Sequence, residues 1–132
     1  MITICLLTYN RVDQLRHTLS NIASEFGDSY DVMILNNASN DDTRSFLDAN
    51  YGHLENFHVY HSDQGLGVAR GREFLWEKTK TPYLLSLDDD IVITADALSG
   101  MLDNLVRTEN VAVVSPNIKD SVTGKICNSE AS

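Results

Sequence analysis

Apolar and polar positions alternate between two periods along the chain. Ile2 to Leu7 is a short, unbroken apolar run rich in β-branched residues, the pattern of a buried strand. Thr8-Tyr9-Asn10 breaks it, and Val12, Leu15, Leu19, Ile22, Ala23 and Phe26 then recur at helical spacing until Gly27 closes the segment. Asn10 is expected to cap that helix, with Asp13 as its capping-box partner. The same alternation continues. Asp31 to Leu35 reads as a strand, Asn36 to Asn40 as a loop, and about Asp41 to Asn50 as a helix opened by a second capping box, Ser39 with Asp42. Phe57 to Tyr60 is a third strand. Gly65-Leu66-Gly67 opens a helix that runs to about Lys78, and Pro82 precedes a fourth strand, Tyr83 to Leu87. A helix over about Ala95 to Thr108, a fifth strand over Val111 to Ser115 and a weak hairpin around Thr123-Gly124 complete the reading.

Strands that alternate with helices predict an α/β fold with a mostly parallel sheet and helices on both faces. Ligands of such sheets bind outside the carboxyl ends of the strands. Three polar clusters fall there: Thr8 to Arg11, Asn36 to Asp41, and Asp88 to Asp90.

Composition narrows the function. The 132 residues suit one domain, with 42% apolar and 22% charged residues. The net charge of −9, from 19 acidic and 10 basic residues, argues against nucleic acid as the main partner. It also means that a phosphate ligand needs a cation between itself and the carboxylates. The two cysteines, Cys5 and Cys127, are too few for a disulfide framework. With no secretory signal and no apolar stretch of membrane-spanning length, a cytoplasmic location is expected, peripheral to the cytosolic membrane face at most.

Each cluster can carry chemistry, and each also has a plainer reading. Along an extended chain Asp88 and Asp90 face one way and Asp89 the other, so two hard oxygen ligands suit Mg²⁺ or Mn²⁺; a solvated turn before a helix is the plainer account. The amides of Asn36-Asn37-Ala38-Ser39-Asn40 can read a base edge or simply build a turn. Gly65-Leu66-Gly67, with Arg70 and Arg72 beyond, can approach a diphosphate or form an ordinary helix start. Tyr9 can stack on a base, and Thr8 to Arg11 can equally be a capped helix start. His58 and His61 lie on opposite faces of their strand and do not form a zinc pair.

Taken in order, these segments resemble the family-2 glycosyltransferases of the GT-A fold. Thr8-Tyr9-Asn10-Arg11 resembles that family's T-Y-N-R start, and Leu35 to Asp41 its V-D-N-x-S-x-D loop. Gly67 to Arg72 resembles its G-x-x-x-x-R helix start, and Leu87-Asp88-Asp89-Asp90 its D-x-D signature. The resemblance implies a Rossmann-like, nucleotide-sugar-binding half of a metal-dependent enzyme. Thr8 and Tyr9 would line the base pocket, with Asn10 and Arg11 nearby. Asn36, standing where the family usually has Asp, would accept from the base beside Asn37 and Ser39. Gly67 and Arg72 would approach the diphosphate. Asp88 and Asp89 would meet the donor, and Asp90, with Asp88, would hold Mn²⁺ or Mg²⁺.

The partners implied are a nucleotide-diphosphate sugar and an acceptor that is a saccharide, a lipid or a protein. Beyond Thr108 the only acids are Glu109, Asp120 and Glu130, none in a recognisable motif. The catalytic base is therefore expected outside residues 1–132, which read as a single domain cut short before the acceptor-binding part. Exposed apolar surface would then favour self-association. Three other readings remain: a non-catalytic nucleotide-binding module, a haloacid dehalogenase-type phosphohydrolase with Asp88 as nucleophile, and a dinucleotide-binding unit in which Arg70 replaces the third glycine.

Overall fold

A computed structural model describes residues 1–127. They form two compact units, Met1–Val92 and a second from Ile93 onward.

The first unit contains β1 (Ile2–Thr8), α1 (Val12–Phe26), β2 (Asp31–Asn37), α2 (Thr43–Asn50), β3 (Phe57–Ser62), α3 (Gly67–Lys78) and β4 (Tyr83–Asp88). The four strands are all parallel, in the order β3-β2-β1-β4. The sheet thus grows in one direction through β2 and β3, then returns across β1 to β4. With right-handed crossovers, the rule for parallel strands, this reversal puts α3 on the face opposite α1 and α2. It also leaves a switch point between the carboxyl ends of β1 and β4, where Leu7 lies beside Asp88 in register.

The side chains follow the two faces. On one, Cys5, Met33 and Leu35 are buried against Leu75 of α3, with Leu7, Tyr60, Leu66 and Phe74 packed around them. Gly71 of α3 lets helix and sheet come close: a Cβ there would stand 2.6 Å from Leu7 Cδ1. The other face carries Ile4, Leu6, Val32 and Ile34, all fully buried, and α1 and α2 bury Leu15, Leu19, Ile22 and Leu47. Arg16 of α1 lies over the ring of Phe46 of α2 at 4.2 Å, a cation–π contact that ties the two helices. Burial raises the pKa of the Cys5 thiol, against the opposing hydrogen bond with Thr79. Cys5 and the exposed Cys127 are both free thiols.

In the second unit, α4 (Ala95–Arg107) starts at Thr94, whose hydroxyl accepts from Ala97 N–H at 3.2 Å. The expected hairpin exists as one antiparallel bridge, Lys119 to Ile126, around Gly124 at φ 68°. Residues Val111 to Ser115 do not form the expected fifth strand. A strand needs a ladder partner; none of the described residues pairs with them, and Val113 is 82% exposed. Glu130 lies outside the described residues. No helix among the described residues is long and apolar enough to cross a membrane.

These contrasts are measurable. Ile34→Ala should cost about 2–5 kcal/mol in urea denaturation, as for a fully buried aliphatic side chain. Val113→Ala should stay within about 0.5 kcal/mol of the parent. An equal cost for both would mean that residues 111–115 are packed as a strand after all.

Candidate functional site

The carboxyl ends of β1, β2 and β4 and the start of α3 enclose a cleft of about 620 Å³, in the size range of small-molecule sites. Thr8, Tyr9, Arg11, Asn37, Gly67, Asp88, Asp89 and Asp90 all line it. Gly65 and Ala38, from the glycine turn and the loop singled out in the sequence, line it as well, and so do Leu7 and Val68, whose apolar side chains gave no chemical signal.

Only Asp88 of the acidic run lies in β4; Asp89 and Asp90 form the turn beyond it. Asp89 is buried, 5% exposed, while Asp88 and Asp90 are exposed. A buried carboxylate needs donors, and Asp89 has them. Thr8 Oγ1 donates to its Oδ2 at 2.8 Å and Arg11 Nη1 to its Oδ1 at 3.3 Å. Thr18 of α1 donates to its backbone oxygen at 3.0 Å. Arg11 Nη1 also reaches Asp90 Oδ2 at 3.2 Å, and Arg72 Nη2 reaches Asp88 Oδ1 at 2.7 Å. Each of the three neighbouring negative charges is thus met by a guanidinium, which offsets their mutual repulsion.

Asp88 and Asp90 keep one oxygen each outside these contacts, a donor set that suits a hard divalent cation completed by water and phosphate oxygens. Among the described residues no three His, Cys, Asp or Glu side chains converge on one point. The N-terminus of α3 lines the same cleft through Gly67 and Val68. Gly67 has φ 76°, a left-handed conformation that suits glycine, and the first turn carries no acidic residue. Its free N–H groups favour an anion.

Asn10, Asn36, Ser39 and Arg72 do not line the cleft. Arg72 is engaged by Asp88. The other three join the loops that follow β1 and β2. Asn10, at φ 50°, accepts at Oδ1 from Asn40 N–H at 2.6 Å, while its own N–H donates to Ser39 Oγ at 3.0 Å. Asn37 holds the glycine turn, its Oδ1 accepting from Leu66 N–H at 2.9 Å. Asn36 Oδ1 accepts from Ser39 N–H, and its nitrogen lies against His61, so this amide is engaged within the fold.

Neither expected capping box forms. The N-cap residues are Arg11 and Asp42, and neither makes a side-chain cap. Asp41 serves both helices instead. Its Oδ2 accepts from Val12 N–H at 3.2 Å, the first of α1, and its Oδ1 accepts from Thr43 N–H at 3.0 Å, the first of α2. Asn10 and Ser39 are thereby released to bond each other, and α2 begins at Thr43 rather than near Asp41.

Burial acts to raise the pKa of the Asp41 carboxyl. Hydrogen bonds from the Thr43 hydroxyl and N–H and from Val12 N–H outweigh it, and the carboxyl sits below its ordinary value of 3.8. A depressed native pKa stabilises the fold above the unfolded value, and that stability is lost as the pH falls through the native one. Asp41→Ala should therefore be less stable than the parent at pH 7 by about 1 kcal/mol, the usual cost of a lost cap. The gap should close as the pH drops below 3.8. A gap that did not change with pH would show that the carboxylate contributes nothing through its charge.

Comparison with known proteins agrees with this geometry. The family model described as Glycosyl transferase family 2 matches residues 3–128. An uncharacterized protein of Haemophilus influenzae is 29% identical over 98% of this chain and 72% of its own length. Poly-beta-1,6-N-acetyl-D-glucosamine synthase of Staphylococcus aureus is 28% identical over 95% of this chain, which spans only 31% of that enzyme. Among solved structures, the mannosyltransferase PcManGT of Pyrobaculum calidifontis, in complex with GDP-Man and Mn²⁺, superposes with a TM-score of 0.77 at 22% identity. That superposition covers 90% of this chain and 35% of PcManGT. Staphylococcus aureus TarS gives a TM-score of 0.68 at 18% identity, over 88% of this chain and 38% of its own. The sheet and helices therefore have the Rossmann-like GT-A fold expected from the sequence.

Proposed function

This chain belongs to glycosyl transferase family 2, and we propose that its cleft binds the nucleotide-diphosphate sugar of a metal-dependent glycosyl transfer. One observation carries the reading: two exposed carboxylates, Asp88 and Asp90, and a helix N-terminus line one cleft at the switch point of a parallel sheet. A sugar nucleotide has the matching parts. Its diphosphate carries charge for a cation and for helix N–H groups, and its base is flat enough to stack on Tyr9. That PcManGT is known with GDP-Man and Mn²⁺ supports the same donor class and the same kind of metal.

In this reading Tyr9, which is half exposed, and the Asn37-Ala38 segment receive the base. Gly65 and Gly67 leave room for the diphosphate, since nothing lies within 4 Å of where their Cβ atoms would be. Asp90 and Asp88 hold Mn²⁺ or Mg²⁺, which when bound supplies Lewis-acid stabilisation of the departing diphosphate. Arg11 and Arg72 orient the carboxylates and screen their charge from the donor. Asp89 stays in the fold and fixes Thr8 and Arg11 rather than meeting the ligand. The acceptor is a saccharide, lipid or protein hydroxyl.

Calorimetric titration with UDP, GDP and dTDP, with and without Mn²⁺, tests this. One of the three should bind only with the metal, and Asp90→Ala should weaken that binding by at least about tenfold, the loss of a charge-assisted ligand. Binding that ignored both the metal and the substitution would refute the reading.

A further inference from the structure

His61 lines no part of the cleft, yet the residues that do are connected to it by a chain of hydrogen bonds whose directions are fixed. Ser39 N–H, which can only donate, lies 3.1 Å from Asn36 Oδ1. The amide nitrogen of Asn36 therefore faces His61 Nδ1, at 3.1 Å. An amide nitrogen only donates, so Nδ1 must accept, and the ring proton sits on Nε2. That nitrogen lies 2.8 Å from Asp48 Oδ1, which accepts it. Every bond is satisfied by one tautomer of the neutral imidazole. Asn36 is 1% exposed and the His61 side chain 15%, so water is a poor substitute for either partner.

We infer that His61 is a positioning residue for the nucleotide loop, acting through Asn36. The inference rests on the functional reading above. Asn36 is the last residue but one of β2; directly after it come Asn37, which ends the strand, and Ala38, both lining the cleft, and then Ser39, whose hydroxyl accepts from Asn10 N–H between Tyr9 and Arg11. Ala38 sits at φ 63°, a left-handed conformation that costs a non-glycine residue about 1–2 kcal/mol and persists only where neighbours hold it. The Ser39–Asn36 bond spans that residue.

Protonating His61 breaks this arrangement. Nδ1 then carries a proton against the amide nitrogen, two donors face to face. Turning the amide over only moves the conflict to Ser39 N–H. Asp48 of α2 is the charged group that faces the ring. One turn earlier Arg44 is held by Asp63, and Arg16 of α1 lies on Phe46. From the sheet, uncharged Asn36 meets the ring, and Thr8, next in the same row, donates to Asp89. A carboxylate at position 36 would remove the conflict, because it accepts from Ser39 N–H and from a protonated His61 together.

The test is NMR of the nucleotide-free chain from pH 5 to 8, following the His61 ring nitrogens and the Ser39 amide, in the parent, Asn36→Asp and Asp48→Asn. In the parent, His61 should be the Nε2–H tautomer at high pH, and the Ser39 amide should shift with the same midpoint as the ring. In Asn36→Asp the amide should no longer follow the ring. In Asp48→Asn, an exposed change, the Ser39 amide and the ring should still respond together. Affinity for UDP or GDP with Mn²⁺ should fall about fivefold across the midpoint in the parent relative to Asn36→Asp, the worth of one hydrogen bond. An Nδ1–H tautomer, a Ser39 amide indifferent to His61, or affinities that change alike in the two proteins would overturn the inference. Because the amide response needs no nucleotide, a chain that bound none at any pH would count against the functional reading and leave the wiring judged on its own signal.

Discussion

The buried carboxylate of Asp89 is the constraint around which the cleft is organised. It sits just past the end of β4, where the sheet reverses direction, and removing such a charge from water is costly unless donors replace the water. Thr8 from the end of β1 and Arg11 from the N-cap of α1 supply them, while Thr18, about two turns further along, donates to the backbone oxygen of the same residue. These contacts tie β4 to the β1–α1 connection and turn Asp88 and Asp90 outward. The same side chain that looks like one more acid in a run of three is the internal anchor for the other two.

A second level of organisation lies in the loops. The turns after β1 and β2 share their polar groups, with Asn10 bonding across to residues 39–41 and Asp41 returning a cap to α1. Asn37 then reaches from β2 to the glycine turn before α3. Three segments far apart in sequence are held by side-chain-to-backbone bonds, which are directional and cannot slide as apolar contacts can. A cleft wall built this way is preorganised, and the ordering cost is met in folding rather than on binding.

Much of the site was legible before the fold was known because the residue types are chemically demanding. A triple aspartate at a strand end, two glycines before a helix and a Thr-Tyr-Asn-Arg segment are hard to explain by packing alone, and they mark three walls of the cleft. Local signals failed where two segments exchange roles. Both capping boxes were reasonable from spacing, but Asp41 was better placed in space than Asp13 or Asp42. The expected strand at Val111 to Ser115 had the right residues and lacked a partner, and strand formation depends on the partner as much as on the sequence.

The sequence by itself determined the alternation of strand and helix, the burial of β1 and β2 and the chemical character of the cleft, because hydrophobic period and turn chemistry act over a few residues. Only the tertiary structure decided the strand order, which acids face solvent, and which amides serve the fold rather than face the cleft. Asp88, Asp89 and Asp90 are the same residue type, and Asn36 and Asn37 are likewise identical. What separates them is the side of the chain each presents and the partner opposite, and those partners, from Arg72 for Asp88 to Thr8 for Asp89, lie 16 to 81 positions away along the chain.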